Sequence, residues 1–304
     1  MDRVLECLPR GSRIAILRLR SLGDCVLTTP ALDILKRYRP DLQLGIFVEN
    51  RFREIFEGNS GLSEIQPPEL PALRRFRPQL CLNFHGGTRS TWMTEFSGAH
   101  YRAGFGHYRQ QFIYNVQIPR AQEILGIERT VHTAEHLASA MFHLGVPPCE
   151  IPRAKLFASP AGPEWKGRRY AVLHAVAAAP GKAWPAGRFL EIASHLAQSG
   201  VEPVFTGAPG DDLSAFAAHH ILQASLSELK SLLANASLFV GNDSGPAHMA
   251  AAFGIPSVVI FGPSDPGIWG PWRTAGEIVH APEGIGEIPV AAVLSALQRL
   301  GVPA

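Results

Sequence analysis

Residues 13–40 read RIAILRLRSLGDCVLTTPALDILKRYRP, and this stretch decides the fold class. It opens with an apolar run of strand length at residues 14–19 and continues through a turn that contains Gly23. Apolar residues then recur at helical spacing until Pro40 ends the helix. Strand, glycine turn and helix in this order are typical of the first unit of a parallel α/β sheet.

The same alternation recurs on both sides of one break in the pattern. The break is residues 147–167, PPCEIPRAKLFASPAGPEWKG, where proline and small residues replace any apolar period, as in an interdomain linker. A further helix is predicted at residues 185–200. The other strands are predicted at residues 42–49, 79–85, 170–175, 201–207, 237–243, 257–262 and 277–281.

Alternation of this kind implies right-handed crossovers and parallel sheets. We therefore expect two doubly wound α/β domains that face each other across a cleft, at residues 1–155 and 156–304. For the last predicted helix, residues 288–301, two alternatives remain open: it packs on its own domain, or it packs back on the first domain.

Composition agrees with two cores and excludes several classes of protein. The chain has 304 residues, of which 46% are hydrophobic and 18% are charged, enough for two buried cores. Its net charge of +2 disfavours a general role on nucleic acids. No apolar run reaches about 18 residues and the start lacks an apolar signal-peptide region, so we expect a cytoplasmic protein. The four cysteines are too widely spaced for a disulfide framework or a zinc knuckle.

Charge is distributed unevenly between the two halves. Residues 1–150 contain 18 basic and 15 acidic residues, whereas residues 151–304 contain 10 and 11. All but Lys36 of the 18 are arginines, whose planar guanidinium binds carboxylates and phosphates in a fork. Two interpretations remain open: an anion-binding face, or the codon usage of a GC-rich genome.

The densest motif is residues 240–271, VGNDSGPAHMAAAFGIPSVVIFGPSDPGIWGP. A strand ends at Gly241, Asp243 or Ser244 is placed to cap the next helix, and Pro246 fits its first turn. A strand end that leads into a helix N-terminus is an anion site, because unpaired N–H groups and the helix dipole point at the ligand. The alternative is a well-capped turn in which His248 simply packs.

A second motif is residues 174–185, HAVAAAPGKAWP, a loop of small residues after a strand. Such a loop lets the backbone approach a ligand closely, and Lys182 can neutralise a phosphate there. The Walker A pattern is absent, so kinase or ATPase chemistry is not supported. A solvated lysine is the alternative for Lys182.

A third motif is residues 18–25, RLRSLGDC. Asp24 follows a glycine turn at the carboxyl end of the first strand, where α/β enzymes place reactive groups. A lone aspartate in this position is also a common helix cap.

In this order the three motifs resemble glycosyltransferase family 9, the heptosyltransferases that build the inner core of lipopolysaccharide. The resemblance extends over nearly the whole chain, and the D-S-G-P-x-H stretch followed by F-G-P is its most specific part. It implies a GT-B fold, with an acceptor bound by the first domain and an ADP-sugar by the second. It also implies an inverting transfer that needs neither a metal nor a cofactor.

The resemblance also implies roles for individual residues. Asp24 matches the proposed general base, and Lys182 matches the lysine that contacts the donor diphosphate. The remaining donor-site residues that it implies are Asp243, Ser244, Gly245, His248 and, more loosely, Gly207 with Asp211 or Asp212. The chain departs from the family where hydroxyl residues often follow the histidine and alanine of the donor loop, since residues 176–179 are Val-Ala-Ala-Ala. This departure leaves the donor sugar open.

The expected acceptor is an anionic saccharide or glycolipid, with a peripheral contact at the cytoplasmic face of the inner membrane as an option. The candidate acceptor-binding side chains are Arg18, Arg20, Arg89, Arg102 and Arg109. The last three lie in residues 83–110, which we interpret as glycine turns with aromatic residues between them. Two other functions remain open, a nucleotide-sugar 2-epimerase and a nucleotide-sugar-binding protein without transfer. The absence of GxGxxG disfavours an NAD dehydrogenase.

Overall fold

The computed structural model describes residues 4–159, 165–177 and 179–302 of the chain. The chain divides into two compact units, Met1–Pro152 and Arg153–Ala304. The division falls three residues before the boundary that the sequence predicted. Part of the predicted linker, residues 160–164, lies outside the described residues, as does Ala178 of the donor-loop prediction.

In the described part of the first unit, six strands form one fully parallel sheet. The strands are β1 (Arg13–Leu17), β2 (Gln43–Phe47), β3 (Glu64–Gln66), β4 (Leu80–Asn83), β5 (Tyr101–Phe105) and β6 (Val116–Ile118). Their spatial order is β3-β2-β1-β4-β5-β6. Residues 14–17 of β1 are completely buried, as a central parallel strand with covered faces requires.

Helices of the first unit alternate with these strands. They are α1 (Val4–Cys7), α2 (Leu22–Tyr38), α3 (Leu70–Phe76), α4 (Thr88–Glu95), α5 (Ala121–Leu125) and α6 (Thr133–Leu144). Short 3₁₀ turns occupy Asn50–Ile55 and Gln111–Ile113. Helix α2 begins at Leu22, directly after β1, because Ser21 and Asp24 cap it there.

The second unit repeats the same arrangement within its described residues. Its strands are β7 (Tyr170–His174), β8 (Glu202–Gly207), β9 (His220–Gln223), β10 (Leu238–Asn242), β11 (Ser257–Phe261) and β12 (Gly276–His280). The order is β12-β11-β10-β7-β8-β9, again fully parallel. Its helices are α7 (Ala186–Gln198), α8 (Leu226–Asn235), α9 (Gly245–Phe253), α10 (Pro266–Trp269) and α11 (Val290–Arg299).

Each sheet has one topological switch point, the place where the chain reverses the direction in which it adds strands. It lies between β1 and β4 in the first unit and between β7 and β10 in the second. Loops that follow the carboxyl ends of these two neighbouring strands diverge to opposite sides of the sheet, and the opening between them is where such sheets bind ligands. The sites of interest therefore follow Leu17, Asn83, His174 and Asn242.

One feature differs from the sequence-based expectation, and for the last helix the structure shows which alternative applies. Residues 83–110 are not only turns, because they contain α4 and β5. Gly104 of β5 lies so close to the ring of Tyr114 that a Cβ would come within 2.5 Å of Cζ, so this strand requires glycine where its pattern seemed broken. Helix α11 buries Val293, Ala296 and Leu297 in the core of its own unit, against β11, β12 and α7.

Candidate functional site

Asp24 lies at the switch point of the first unit, at the third position of α2. Its Oδ2 accepts hydrogen bonds from the backbone N–H and the hydroxyl of Ser21, at 3.3 and 3.0 Å. Its Oδ1 lies 3.4 Å from Nη1 of Arg18. The carboxylate therefore caps the helix, which was the alternative role that the sequence allowed for Asp24. Its side chain is still 23% exposed, and so a reacting hydroxyl can reach it.

Arg18 is placed differently from the other predicted acceptor-binding arginines. Its side chain is only 6% exposed and its guanidinium faces Asp24. Its Nε is buried and makes no hydrogen bond with any described residue. Arg20, two residues along, is exposed. The structure thus places Arg18 as the charge partner of Asp24 and leaves Arg20 at the surface.

The strand that neighbours β1 contributes His85 to the same region. Asn83, the last residue of β4, is fully buried and its Oδ1 accepts the N–H groups of His85 and Gly86, both at 3.0 Å. Partial burial lowers the pKa of His85, and the positive charges of Arg18 and Arg20 lower it further. Near neutral pH this imidazole is uncharged, so it can donate or accept a hydrogen bond.

Two more rings, from the loop after β5 and from α6, lie in this region. The ring of Tyr108 packs on Gly86, and burial raises the pKa of its hydroxyl, which stays a hydrogen-bond donor. His136 stacks on Phe105 with ring centroids 4.0 Å apart, and burial lowers its pKa to about 4. Sequence reasoning missed His85, Tyr108 and His136. Only the first two carried a signal, since they follow the ends of β4 and β5.

The three remaining candidate arginines differ in their contacts and in their exposure. Arg102 is held by Glu95, 3.1 Å away, and donates from Nε to the carbonyl of Ile113, so it braces β5. Arg89 is exposed and donates to the carbonyl of Pro68 at 2.7 Å. Arg109 is exposed in the loop after β5. Arg89 and Arg109 remain accessible to a ligand.

In the second unit, Lys182 and Asp243 meet at the switch point. Lys182 Nζ lies 3.1 Å from Asp243 Oδ2, and the lysine is about half exposed while the aspartate is almost covered. An ammonium group has three donor hydrogens, so one ion pair leaves the lysine free to bind an anion as well. The two residues that the sequence placed in separate motifs therefore form one cluster.

Asn242, the last residue of β10, fixes the loop that carries Lys182. Its Nδ2 donates to the carbonyl of Ala175 at 2.8 Å and its Oδ1 accepts the N–H of Trp184 at 3.1 Å. The amide is completely buried. It connects both ends of the loop to the strand, and the sequence analysis did not single it out, because its partners lie far away in the sequence.

The helix that follows, α9, begins at Gly245 with Pro246 in its first turn, as predicted. Ser244 is the N-cap residue, but its hydroxyl makes no capping bond, and neither does Asp243, which pairs with Lys182. The Oγ of Ser244 is buried and has no hydrogen-bond partner within the described chain. His248 is buried, its ring 6.5 Å from that of Trp269.

Gly207 ends β8, and the acidic residues after it are used locally. Asp211 accepts the N–H of Ala208 at 2.7 Å, and a Cβ at Gly207 would come within 3.1 Å of the Asp211 side chain. Asp212 accepts the N–H of Ser214 at 2.9 Å. Both carboxylates therefore shape the loop after β8.

Over residues 4–159, 165–177 and 179–302, no three His, Cys, Asp or Glu side chains are grouped so that they could hold a metal ion. None of the helices described has the length and apolar character needed to cross a membrane.

Comparison with known proteins gives one consistent result. Residues 71–287 match the model of glycosyltransferase family 9 (heptosyltransferase). Lipopolysaccharide heptosyltransferase 1 of Escherichia coli K12 is 26% identical over 335 residues, which cover 95% of this chain and 100% of that protein.

Solved structures show the same fold. The glycosyltransferase family 9 protein of Veillonella parvula superposes with a TM-score of 0.84 at 20% identity, over 96% of this chain and 97% of that one. The E. coli heptosyltransferase WaaC with ADP gives a TM-score of 0.77 at 20% identity, over 94% and 99%. The expected GT-B fold of two Rossmann-like domains is confirmed.

Proposed function

The chain belongs to glycosyltransferase family 9, and from this premise we propose that it transfers a heptose or related sugar from an ADP-sugar to a hydroxyl of a lipopolysaccharide-core-type acceptor. Membership makes it a glycosyltransferase of heptosyltransferase type and sets aside the epimerase and the non-catalytic binding protein. The donor nucleotide, inversion at the anomeric carbon and independence from metal are the parts that we propose.

One observation carries the proposal: Lys182 and Asp243, from separate motifs, meet at 3.1 Å beside the first turn of α9. A lysine ammonium and unpaired helix N–H groups together suit a diphosphate leaving group. The buried Ser244 hydroxyl is a further donor toward an anion. Support for adenosine diphosphate comes from WaaC, a structural neighbour that was solved with ADP.

The chemistry assigns different tasks to the two units. An acceptor hydroxyl attacks the anomeric carbon on the face opposite the leaving ADP, and the sugar is inverted. The Asp24 carboxylate takes the hydroxyl proton as the C–O bond forms, while Lys182 and the N–H groups of α9 stabilise the charge on the departing diphosphate. With one lysine and these N–H donors on the diphosphate, the proposal requires no metal ion.

The test is Asp24→Asn, which keeps the size of the side chain and its capping bonds but removes the proton acceptor. Loss of a general base costs about 10² to 10⁴ in rate. We expect kcat to fall by this factor while ADP binding, measured by calorimetry, is unchanged. The product of the wild-type reaction should have the inverted anomeric configuration by NMR.

Asp33→Asn is the matched control, because Asp33 lies on the same helix and pairs with the exposed Arg37. It should retain wild-type turnover. A turnover of Asp24→Asn within a fewfold of the wild type would remove Asp24 from the mechanism. Loss of activity in EDTA, restored by Mg²⁺ or Mn²⁺, would replace the metal-free transfer with a metal-bridged diphosphate.

A further inference from the structure

Exposed aromatic side chains are concentrated in one part of the first unit. Among the described residues, the large hydrophobic side chains at the surface are Trp92, Phe96, Phe112, Phe157 and Ile278. Three of these five lie within residues 92–112. Isolated apolar residues at a surface need no explanation, but a concentration of aromatic rings indicates an interaction site. We call Trp92, Phe96 and Phe112 the aromatic patch.

Helix α4 presents the core of the aromatic patch. Trp92 and Phe96 are 44% and 48% exposed and stack with ring centroids 5.9 Å apart. Together with the exposed Arg89 they follow the spacing of a single helix face. The opposite face buries Ser90, Thr91 and Thr94. Burial in the core therefore does not account for the two rings.

Phe112 extends the aromatic patch from a neighbouring turn. It is 74% exposed, on the 3₁₀ turn Gln111–Ile113 that lies against α4. The Thr91 hydroxyl lies 3.1 Å from the Tyr114 hydroxyl and so joins the helix to the chain that leaves this turn. The helix and the turn that carry the three rings are thus held together by this contact.

The stretch of sequence that carries the aromatic patch is rich in arginine. Residues 70–112 contain six arginines and a single acidic residue, Glu95, whose carboxylate is paired with Arg102 at 3.1 Å. Arg74 donates from Nε to the backbone carbonyl of Phe96 at 2.8 Å, which places its guanidinium at the carboxyl end of α4. Arg89 lies one turn before Trp92 on the same face.

We propose that the aromatic patch and its arginines dock this protein on an anionic lipid bilayer. Amphipathic aromatic rings are favoured at the headgroup level of a bilayer, and basic side chains beside them are attracted to lipid phosphates. A second copy of the chain fits less well, since a symmetric contact would oppose the same arginines across the interface. The proposal goes beyond sugar transfer and is tested without donor or acceptor.

The experiment measures cosedimentation of the full chain with vesicles. Binding to vesicles that contain about 30% phosphatidylglycerol should exceed binding to pure phosphatidylcholine, and it should weaken as NaCl rises from about 0.05 to 0.5 M. The double variant Trp92→Ser, Phe96→Ser should lower the partition coefficient at least about tenfold. Arg74→Gln should lower it about fivefold.

The matched control for the rings is Phe157→Ser, since Phe157 is 39% exposed but lies in the second unit. Arg10→Gln, at another exposed arginine of the first unit, is the control for charge. Both should bind vesicles like the wild type. All variants alter exposed residues, and equal melting temperatures would show that they are folded.

Three results would overturn the proposal. The first is failure of the wild-type chain to bind anionic vesicles, and the second is equal binding by the wild type and the double variant. The third is a dimer, seen by light scattering, that the double variant abolishes, because the aromatic patch would then be covered by another copy. Loss of transfer in Asp24→Asn with vesicle binding intact would leave the proposal standing.

Discussion

At the scale of single residues, Arg18 and Arg20 show how burial separates two identical side chains. Both were expected to bind the acceptor, yet Arg18 is buried against Asp24 and Arg20 is exposed. We predict that Arg18→Met lowers kcat about tenfold with little change in the acceptor KM. A cation at this distance in a partly covered site contributes on the order of 1 kcal/mol or more to holding the carboxylate in position.

Two matched variants separate this positioning role from direct binding. Arg18→Lys keeps the charge and should recover part of kcat. Arg20→Met removes an exposed charge two residues away and should leave kcat unchanged, whatever it does to the acceptor KM. Steady-state kinetics over a range of acceptor concentrations would refute the assignment if Arg18→Met raised the acceptor KM at constant kcat.

Sequence reasoning found Asp24 because a glycine turn after a buried strand is a local signal. It could not find the Arg18 pair or the neutral His85, because each depends on which side chains tertiary packing buries together. Lys182 and Asp243 were found separately, and only the neighbouring positions of β7 and β10 bring them to 3.1 Å. Local chemistry was therefore predictable, whereas the partners of each group were not.

At the scale of elements, one buried amide holds the Lys182 loop to β10. Asn242→Ala removes both of its hydrogen bonds and leaves the Ala175 carbonyl and the Trp184 N–H without their partner. Each buried group left unsatisfied costs about 1–3 kcal/mol. We predict that the ADP dissociation constant rises at least about tenfold, because Lys182 is no longer held beside Asp243.

Asn235→Ala is the control for this element, since Asn235 is exposed and its amide donates only to Ser231 within α8. It should bind ADP like the wild type. Isothermal calorimetry that gives the same dissociation constant for Asn242→Ala and the wild type would show that the loop holds its position without the amide.

The elements that sequence predicted best are those with a strong apolar period. Strands β1 and β10 and helix α7 were placed within two residues of their ends, as completely buried strands and a one-sided apolar helix allow. Strands β3, β6 and β9 were missed, because they are only three or four residues long and contain at most one buried residue. Strand β5 was missed because Gly104 and Arg102 interrupt its pattern, although packing against Tyr114 and pairing with Glu95 explain both.

At the scale of the whole molecule, repetition of one topology was predictable and the order of the strands was not. Alternating strands and helices on both sides of a proline-rich break indicated two parallel sheets. The structure shows that both sheets have the same strand order, with switch points after Leu17 and Asn83 and after His174 and Asn242. This order depends on which strands pair, and the sequence pattern does not reveal it. This order places Arg18 and Asp24 at the end of one sheet and Lys182 and Asp243 at the end of the other.

In each unit, one histidine with a strongly lowered pKa makes the stability of the chain depend on pH. His136 and His174 both have their pKa lowered from 6.5 to about 4, first of all by burial. Between pH 6.5 and 4 the unfolded chain therefore binds protons that the folded chain does not. The free energy of unfolding should fall as pH decreases through this window, by a few kcal/mol per histidine at its acid end.

The pH window distinguishes these histidines from the paired carboxylates. Arg129 lowers the pKa of Glu135 below its ordinary 4.5, so the stability that this pair contributes is present above pH 4.5 and lost only below it. Melting temperatures measured from pH 7 to about 5 therefore report mainly on histidine. His136→Phe, which keeps a ring on Phe105, should reduce the decrease over this range, while His280→Phe at an exposed histidine should not. Equal decreases in the wild type and His136→Phe would show that protonation of His136 does not contribute to acid destabilisation.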